Sequence, residues 1–595
     1  MNRLPVIFLI LAAFALPASG VATQKAATVT ESEKLIQIVE DYFEEQLKLH
    51  PVQATSIGDN RYNDRFTNSI SPEFISHAEA IERQYLQKVN SIQPELLKAQ
   101  DLLSYEIFKR DRELALKELR FPSHLLPVNQ SYSVPTGFAQ LGSGEGEHPF
   151  KTVKDYEDFL KRIDGFVEWM KQAIVNMREG IKKGYVQPAV LMEKFVPQLE
   201  SHLVSSPEKS IFWGPVRNFP GTFNAAEKER LEKAYREAII RKIIPAYRSL
   251  NDFIKNDYLK NARRTIGLSG LPDGVAWYDL AVKILTTTDL TSEQIHQIGL
   301  EEVKRIHEEM KKVMVEVEFQ GNLKDFFRYV NEDPIFYYTK QEDLLNGYRE
   351  LKQRIAPSLA KLFDVMPKAD YEVRAVEEFR EKSASGGSYQ NATLDGSRPG
   401  IFYVNTYDLT ARPIWAMEAL SLHEASPGHH FQISIQQELE GLPRFRRFSG
   451  YGAYVEGWGL YAESLGRELG VYENPYQYFG SLNAELWRSI RLVVDTGIHA
   501  KGWTREDVLK YMYENSAVRE ARAVSEAERY IAAPGQALGY KIGQMKIREL
   551  RTRAEKTLGK KFDVRKFHNA ILVDGALPLD VLEKKIGRWI TEQQK

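Results

Sequence analysis

From about Ser32 onward, apolar residues recur at the three- and four-residue spacing that lays them along one side of a helix. Ile36, Val39, Tyr42 and Phe43 begin one such stripe, and Tyr156, Phe159, Leu160, Ile163 and Phe166 make another. Thr291-Ser-Glu-Gln294 has the form of a capping box, in which two side chains satisfy the free N–H groups of a first turn, and it opens a helix predicted to run beyond Val313. His296 and His307 lie on that helix with no ligand-type neighbour, and neither is given a role. Alternation of period two is rare. The one convincing strand is Gly400-Ile-Phe-Tyr-Val-Asn-Thr406, β-branched and aromatic and entered through Arg398-Pro399. Tyr371 to Arg374 is its expected partner, and Ser383 to Thr393 reads as a Gly- and Ser-rich crossover. Gly142 to Pro149 and Gly267 to Gly274 read as turns, because neither has a phosphate-loop spacing followed by Lys-Ser/Thr. No repeat or low-complexity linker divides the chain. The pattern predicts a mainly α fold, one unit over residues 34–595 with a short β-sheet just upstream of residue 413.

The first twenty residues depart from this pattern. Arg3 precedes an almost wholly apolar run from Pro5 to Leu16, and Ala18-Ser19-Gly20 offers small residues for cleavage. That is the form of a secretory signal peptide over residues 1–20, followed by a flexible stretch over 21–33 rich in Ala, Thr, Ser and Lys. Export, to the periplasm or beyond, is the expectation. The apolar run falls short of the ~20 residues a membrane span needs, so no stable insertion is expected once the signal is gone. Composition adds exclusions. The 80 basic and 81 acidic side chains leave a formal charge of −1, with no electrostatic footprint for nucleic acid or an anionic membrane. There is no cysteine, which removes disulfides, thiol nucleophiles, Cys-ligated metals and lipid attached through a thiol.

The chemistry is concentrated elsewhere. His423-Glu-Ala-Ser-Pro-Gly-His-His430 places three of twelve histidines beside a glutamate. Imidazole nitrogen is a good ligand for Zn²⁺, and a carboxylate next to the metal can take a proton from bound water. In the ordinary His-Glu-x-x-His arrangement the two imidazoles are four residues apart, about one helical turn. Here Pro427-Gly428 intervenes. On an unbroken helix His430 would lie within ~20° of His423 but ~10 Å further along, with His429 turned away. Proline disfavours that continuation. Either Ser426 caps a new turn with Pro427 at its first position, or the two extra residues bulge out and return His429 to the metal face. Downstream, Glu456-Gly-Trp-Gly-Leu-Tyr-Ala-Glu463 puts two carboxylates seven residues apart on nearly the same face of a helix expected over about 453–470. On the next helix Arg488, Arg491, Asp495 and His499 recur at spacings of three and four, as an internal ion-pair seam or as residues orienting ligands. In Glu528 to Tyr540, Tyr530, Gln536 and Tyr540 carry donors able to meet a developing oxyanion.

Taken together, these strings resemble a large bacterial family of unknown function, often secreted, over nearly the whole mature chain. That family in turn resembles the helical zinc peptidases: angiotensin-converting enzyme, thimet oligopeptidase and carboxypeptidase Taq. The resemblance implies a large two-lobed helical fold around a deep cleft, with the small β-sheet on one wall beside the metal helix, the N-terminal lobe at about 34–370 and the metal-site half at about 371–595. The resemblance implies His423 and His429 as imidazole ligands, Glu456 as third ligand and Glu424 as the base. It implies Tyr540, or else Tyr530, as the residue supporting the tetrahedral intermediate. It also implies an edge strand beside the metal helix that holds the substrate backbone, which would be Ile401 to Thr406 with Tyr403 in its middle. His430, Glu463 and Asp495 remain as orienting residues or alternative ligands, and Arg529 as a candidate for a substrate carboxylate. The expected activity is zinc-dependent hydrolysis of oligopeptides. Its rivals are a metal-dependent hydrolase of another amide or ester, and a non-catalytic peptide- or metal-binding module.

Overall fold

The computed structural model describes residues 29–131, 133–378, 381, 384–393, 398–448 and 450–595. The expected signal peptide lies outside the described residues. Helix makes up 70% of the structure and strand 3%, the mainly α class predicted. The first helix, α1 (Glu31–Leu49), opens on a capping box at Thr30, so residues 31–33 of the stretch read as flexible are helical. Its buried face is Leu35, Val39, Tyr42 and Phe43, while Ile36 is 43% exposed. The stripe therefore runs from Leu35; Ile36 sits ~100° around the helix from it.

Helix α2 (Val153–Lys183) buries Tyr156, Phe159, Ile163 and Phe166 in a core built from residues 128–258, with Val52, Phe66 and Ile70 packed against it. A second core joins Leu103 and Ile107 to residues 268–363 and to the C-terminal helices as far as Ile590. Helix α3 (Ser292–Glu316) begins at the Thr291 capping box, with both reciprocal hydrogen bonds present. Its two histidines are structural: His296 Nδ1 lies 2.8 Å from Thr496 Oγ1, and His307 Nε2 lies 2.9 Å from the Asn515 carbonyl.

The sheet has three strands, β1 (Tyr371–Ala375), β2 (Gly387–Gln390) and β3 (Gly400–Val404), in the order β1-β3-β2. β1 runs parallel to β3 and β2 antiparallel to it. Two expectations are corrected here. The stretch read as a crossover contains β2, and the strand expected at the edge, β3, is central with a neighbour on both sides. The edge on the metal-helix side is β2, where a Cβ at Gly387 would come 3.0 Å from Leu420. Among the described residues no helix is long and apolar enough to cross a membrane.

Candidate metal centre

Of the two expected routes past Pro427, the second gives the outcome, His429 returned to the metal face, but the chain reaches it by a break between two helices rather than a bulge within one. Helix α4 (Met417–Glu424) stops at Glu424, Ala425 to Pro427 form a link, and α5 (His429–Glu438) starts afresh with Gly428 as its cap. Gly428 is pressed against the end of α4: a Cβ there would come within 1.9 Å of the His423 carbonyl oxygen. The extra residues thus form a tight kink rather than added length along the axis. It brings His429 back to His423, with ring centroids 4.6 Å apart and planes at 78°.

Helix α6 (Gly452–Glu463) brings the third donor. Glu456 Oε2 lies 3.4 Å from His423 Nε2 and 3.4 Å from His429 Nε2, and one donor atom from each residue falls within 4.8 Å of the others. The residues after Glu456 explain the motif. Gly457 backs onto Gly543 of α9 (Gly539–Leu558), where a Cβ would meet the Gly543 Cα at 2.5 Å. Trp458 Nε1 donates to the Pro427 carbonyl at 2.7 Å, tying α6 to the kink. A Cβ at Gly459 would come 2.8 Å from the His423 ring, so only hydrogen leaves room for the imidazole there.

Glu463 does not join the three donors. Its buried carboxylate lies 2.8 Å from His423 Nδ1, and Arg488 Nη2 is 3.3 Å from the same oxygen. A carboxylate on Nδ1 fixes the ring orientation and leaves Nε2 facing the centre. Burial alone would lower the His423 pKa, but Glu456 and Glu463 outweigh it and raise the imidazole to about 9. Burial likewise works against ionised Glu456, yet His423 and His429 hold its carboxyl well below the usual range. The pocket therefore favours positive charge at its centre. Two imidazoles and a carboxylate with a second carboxylate behind fit a divalent cation.

His430 belongs to another structure. It is buried with Nδ1 2.9 Å from Tyr389 Oη on β2, its ring 4.7 Å from Tyr371 on β1, and burial pushes its pKa down to about 4. It ties the sheet to α5. Glu424 ends α4 half-buried and has neither a hydrogen bond nor an ion pair among the described residues. Tyr403 lies on the central strand, its hydroxyl donating to Gln390 Oε1 at 3.2 Å.

The four residues spaced along α7 (Pro475–Lys501) each reach a different part of this region. Arg488 meets Glu463. Arg491 Nε donates to the Tyr530 hydroxyl at 3.0 Å, and its guanidinium lies 4.6 Å over the Tyr540 ring. The Tyr530 hydroxyl also donates to Glu526, so it is fully engaged and buried. Tyr540 is half-buried and makes no hydrogen bond among the described residues, which leaves its hydroxyl uncommitted. Gln536 Oε1 is buried without a partner in the turn just before it. His499 accepts from the Leu268 N–H at Nδ1 and donates from Nε2 to the Tyr530 carbonyl, a neutral structural imidazole.

Asp495 accepts from the Tyr278 hydroxyl at 2.6 Å and from the Gly535 N–H at 3.0 Å, holding the turn that precedes Tyr540. Burial pushes its carboxyl up to about 7 from 3.8. A folded-state pKa above the unfolded value means stability that is present below about pH 4 and lost as pH rises through 7. Asp495→Asn is expected to flatten that window and to gain up to about 4 kcal/mol over the wild type at pH 8. Thermal unfolding at pH 5 and pH 8 reads it; an unchanged pH difference in the variant would remove Asp495 as the cause.

A family model described as "Bacterial protein of unknown function (DUF885)" matches residues 51–586. No curated protein matches. Among solved structures, a "putative lipoprotein" from Colwellia psychrerythraea superposes with a TM-score of 0.86 at 29% identity, covering 95% of this chain and 100% of that one. A "putative lipoprotein of unknown function" from Shewanella oneidensis gives 0.74 at 19% identity, covering 92% and 99%. Both share the fold over nearly their whole length.

Proposed function

The chain belongs to the DUF885 family of bacterial proteins of unknown function, and for this member we propose zinc-dependent hydrolysis of peptide bonds in oligopeptides. The observation that carries the reading is the convergence of His423, His429 and Glu456 within 4.8 Å, with Glu463 seated behind His423. When bound there, a divalent cation supplies Lewis acidity toward a carbonyl and toward water. Glu424, adjacent to a ligand and uncommitted within the protein, accepts the proton of the attacking water and delivers it to the leaving amine. The free Tyr540 hydroxyl donates to the carbonyl oxygen as it gains charge, a contact typically worth ~3 kcal/mol. Tyr530 is too engaged for that task. The β2 edge beside α4, with no further strand on it among the described residues, is where an extended peptide would pair, a role that central β3 lacks. The N-terminal signal pattern and the "putative lipoprotein" wording of both related structures support an exported protein. No nucleic-acid partner is proposed, and the substrate is an oligopeptide.

The test uses the purified mature chain. Metal content is measured by plasma mass spectrometry, and a mixed peptide library is incubated with and without a chelator. One zinc per chain and chelator-sensitive cleavage are expected. One zinc with no peptide cleaved would point to another amide or ester, or to a binding role. No stoichiometric metal would overturn the reading altogether.

A further inference from the structure

Helix α8 (Glu520–Ala532) carries Arg522, Glu526 and Arg529 at spacings of four and three, which aligns them on one face. That face meets α7, where Arg491 Nη2 lies 3.2 Å from Glu526 Oε2. The charges there do not balance. Arg488 is occupied by Glu463, and Arg491 by Glu526 and Tyr530. Arg529 Nη2 stands 3.6 Å from the same Glu526 oxygen, too far for a hydrogen bond, and both its Nε and Nη2 are buried without a hydrogen-bond partner. Arg522 has neither a hydrogen bond nor an ion pair among the described residues; it leans on the Trp487 ring at 5.2 Å. One carboxylate thus serves a group of guanidinium ions, and two of them are left over.

Position gives the surplus a meaning. Arg522 is open to solvent, yet surrounding protein lowers its pKa, and the charges of Arg491 and Arg488 lower it further against the pull of Glu526. The cluster begins close to the metal residues, since Arg488 pairs with Glu463 and Glu463 with His423. It passes Tyr540, whose ring lies beneath Arg491.

We propose that Arg522 and Arg529 form a carboxylate-binding subsite of the substrate cleft, and that the substrates are peptides cut a short distance from a free C-terminus. The inference rests on the peptidase reading above. A guanidinium pairs with a carboxylate through parallel hydrogen bonds, which gives both orientation and affinity. A neutral stretch of peptide would leave Arg522 without an ion pair and Arg529 sharing Glu526 with Arg491. An acidic side chain of the substrate offers the same chemistry as a C-terminal carboxylate, so the test separates the two sources.

Binding is measured with the full-length mature Glu424→Gln protein, loaded with zinc, so that peptides are held without turnover. The probes are one fluorescent peptide in three forms: free acid, C-terminal amide, and amide with a glutamate as last residue. The free acid is expected to bind at least about tenfold more tightly than either amide, as a charge-assisted pair should. Arg522→Ala, at an exposed position that folding does not depend on, is expected to remove that advantage, and Arg522→Lys to restore part of it. Wild-type digestion of the free acid should release short C-terminal fragments. Equal binding of acid and plain amide, unchanged in Arg522→Ala, overturns the subsite, while cleavage of either peptide would still sustain the peptidase reading. Tight binding of the glutamate-ended amide overturns the C-terminal preference in favour of acidic side chains. If no peptide is bound or cleaved, the peptidase reading falls and this inference falls with it.

Discussion

Replacing Glu424 by glutamine is expected to lower kcat for peptide cleavage by about 10²–10⁴-fold, the usual contribution of a positioned proton acceptor. Zinc content and thermal unfolding should match the wild type. The two halves of this expectation have different grounds. Glu424 makes no hydrogen bond or ion pair among the described residues and closes α4 half-buried, so loss of its charge leaves no buried partner stranded. The amide keeps the shape but cannot take a proton. Its neighbour His423 is fixed independently by Glu463 and by the space at Gly459, so the donors should not move. The checks are kcat from fragment formation, zinc by mass spectrometry, and a melting curve. An unchanged kcat would assign the proton to another group. Loss of zinc would make Glu424 a ligand rather than a base.

What the sequence made legible follows the range of the physics involved. Helical stripes are local, and the capping box at Thr291 forms as its four residues require. His423, Glu424 and Glu456 stand out because a chemical motif is also local. The break at Pro427 was visible, but its direction was not: it depends on Gly428 packing on the His423 carbonyl and on Trp458 reaching the Pro427 oxygen, contacts between separate helices. β2 escaped notice because Gly387-Ser-Tyr-Gln390 has too few β-formers to show a period, and it forms through pairing with β3. Once β2 exists, β3 becomes central and the substrate edge moves. Tyr530 and Tyr540 look alike in sequence; only the tertiary contacts of Arg491 and Glu526 reveal that one hydroxyl is engaged. Arg522 carried a faint signal, its spacing to Glu526 and Arg529 along one helix face. Its lack of a partner is a property of the folded chain alone.

The adjacent histidines provide the second large effect, because substituting each to alanine is expected to fail in a different way. His429→Ala removes one of three donors and leaves His423 and Glu456 alone, so zinc affinity should fall by more than the 10–100-fold that loss of an orienting partner costs. Its side chain is 12% exposed and its main partners are the site residues, so the fold should survive. His430→Ala acts on the sheet instead. It deletes a buried ring packed on Tyr371 and the contact with Tyr389, for an expected loss of roughly 2–4 kcal/mol, while the three donors stay in place. Melting curves with and without added zinc separate the two. A ligand that binds only the folded state raises the melting temperature, so zinc should stabilise His430→Ala from its lowered baseline and do little for His429→Ala. The reverse pattern would mean that His430 reaches the metal and that the kink at Pro427 opens in solution. With the expected pattern, the two extra residues in this motif have a physical role. They let one helix start supply a ligand with its first residue and, with its second, fasten the strand edge beside which the substrate is proposed to lie.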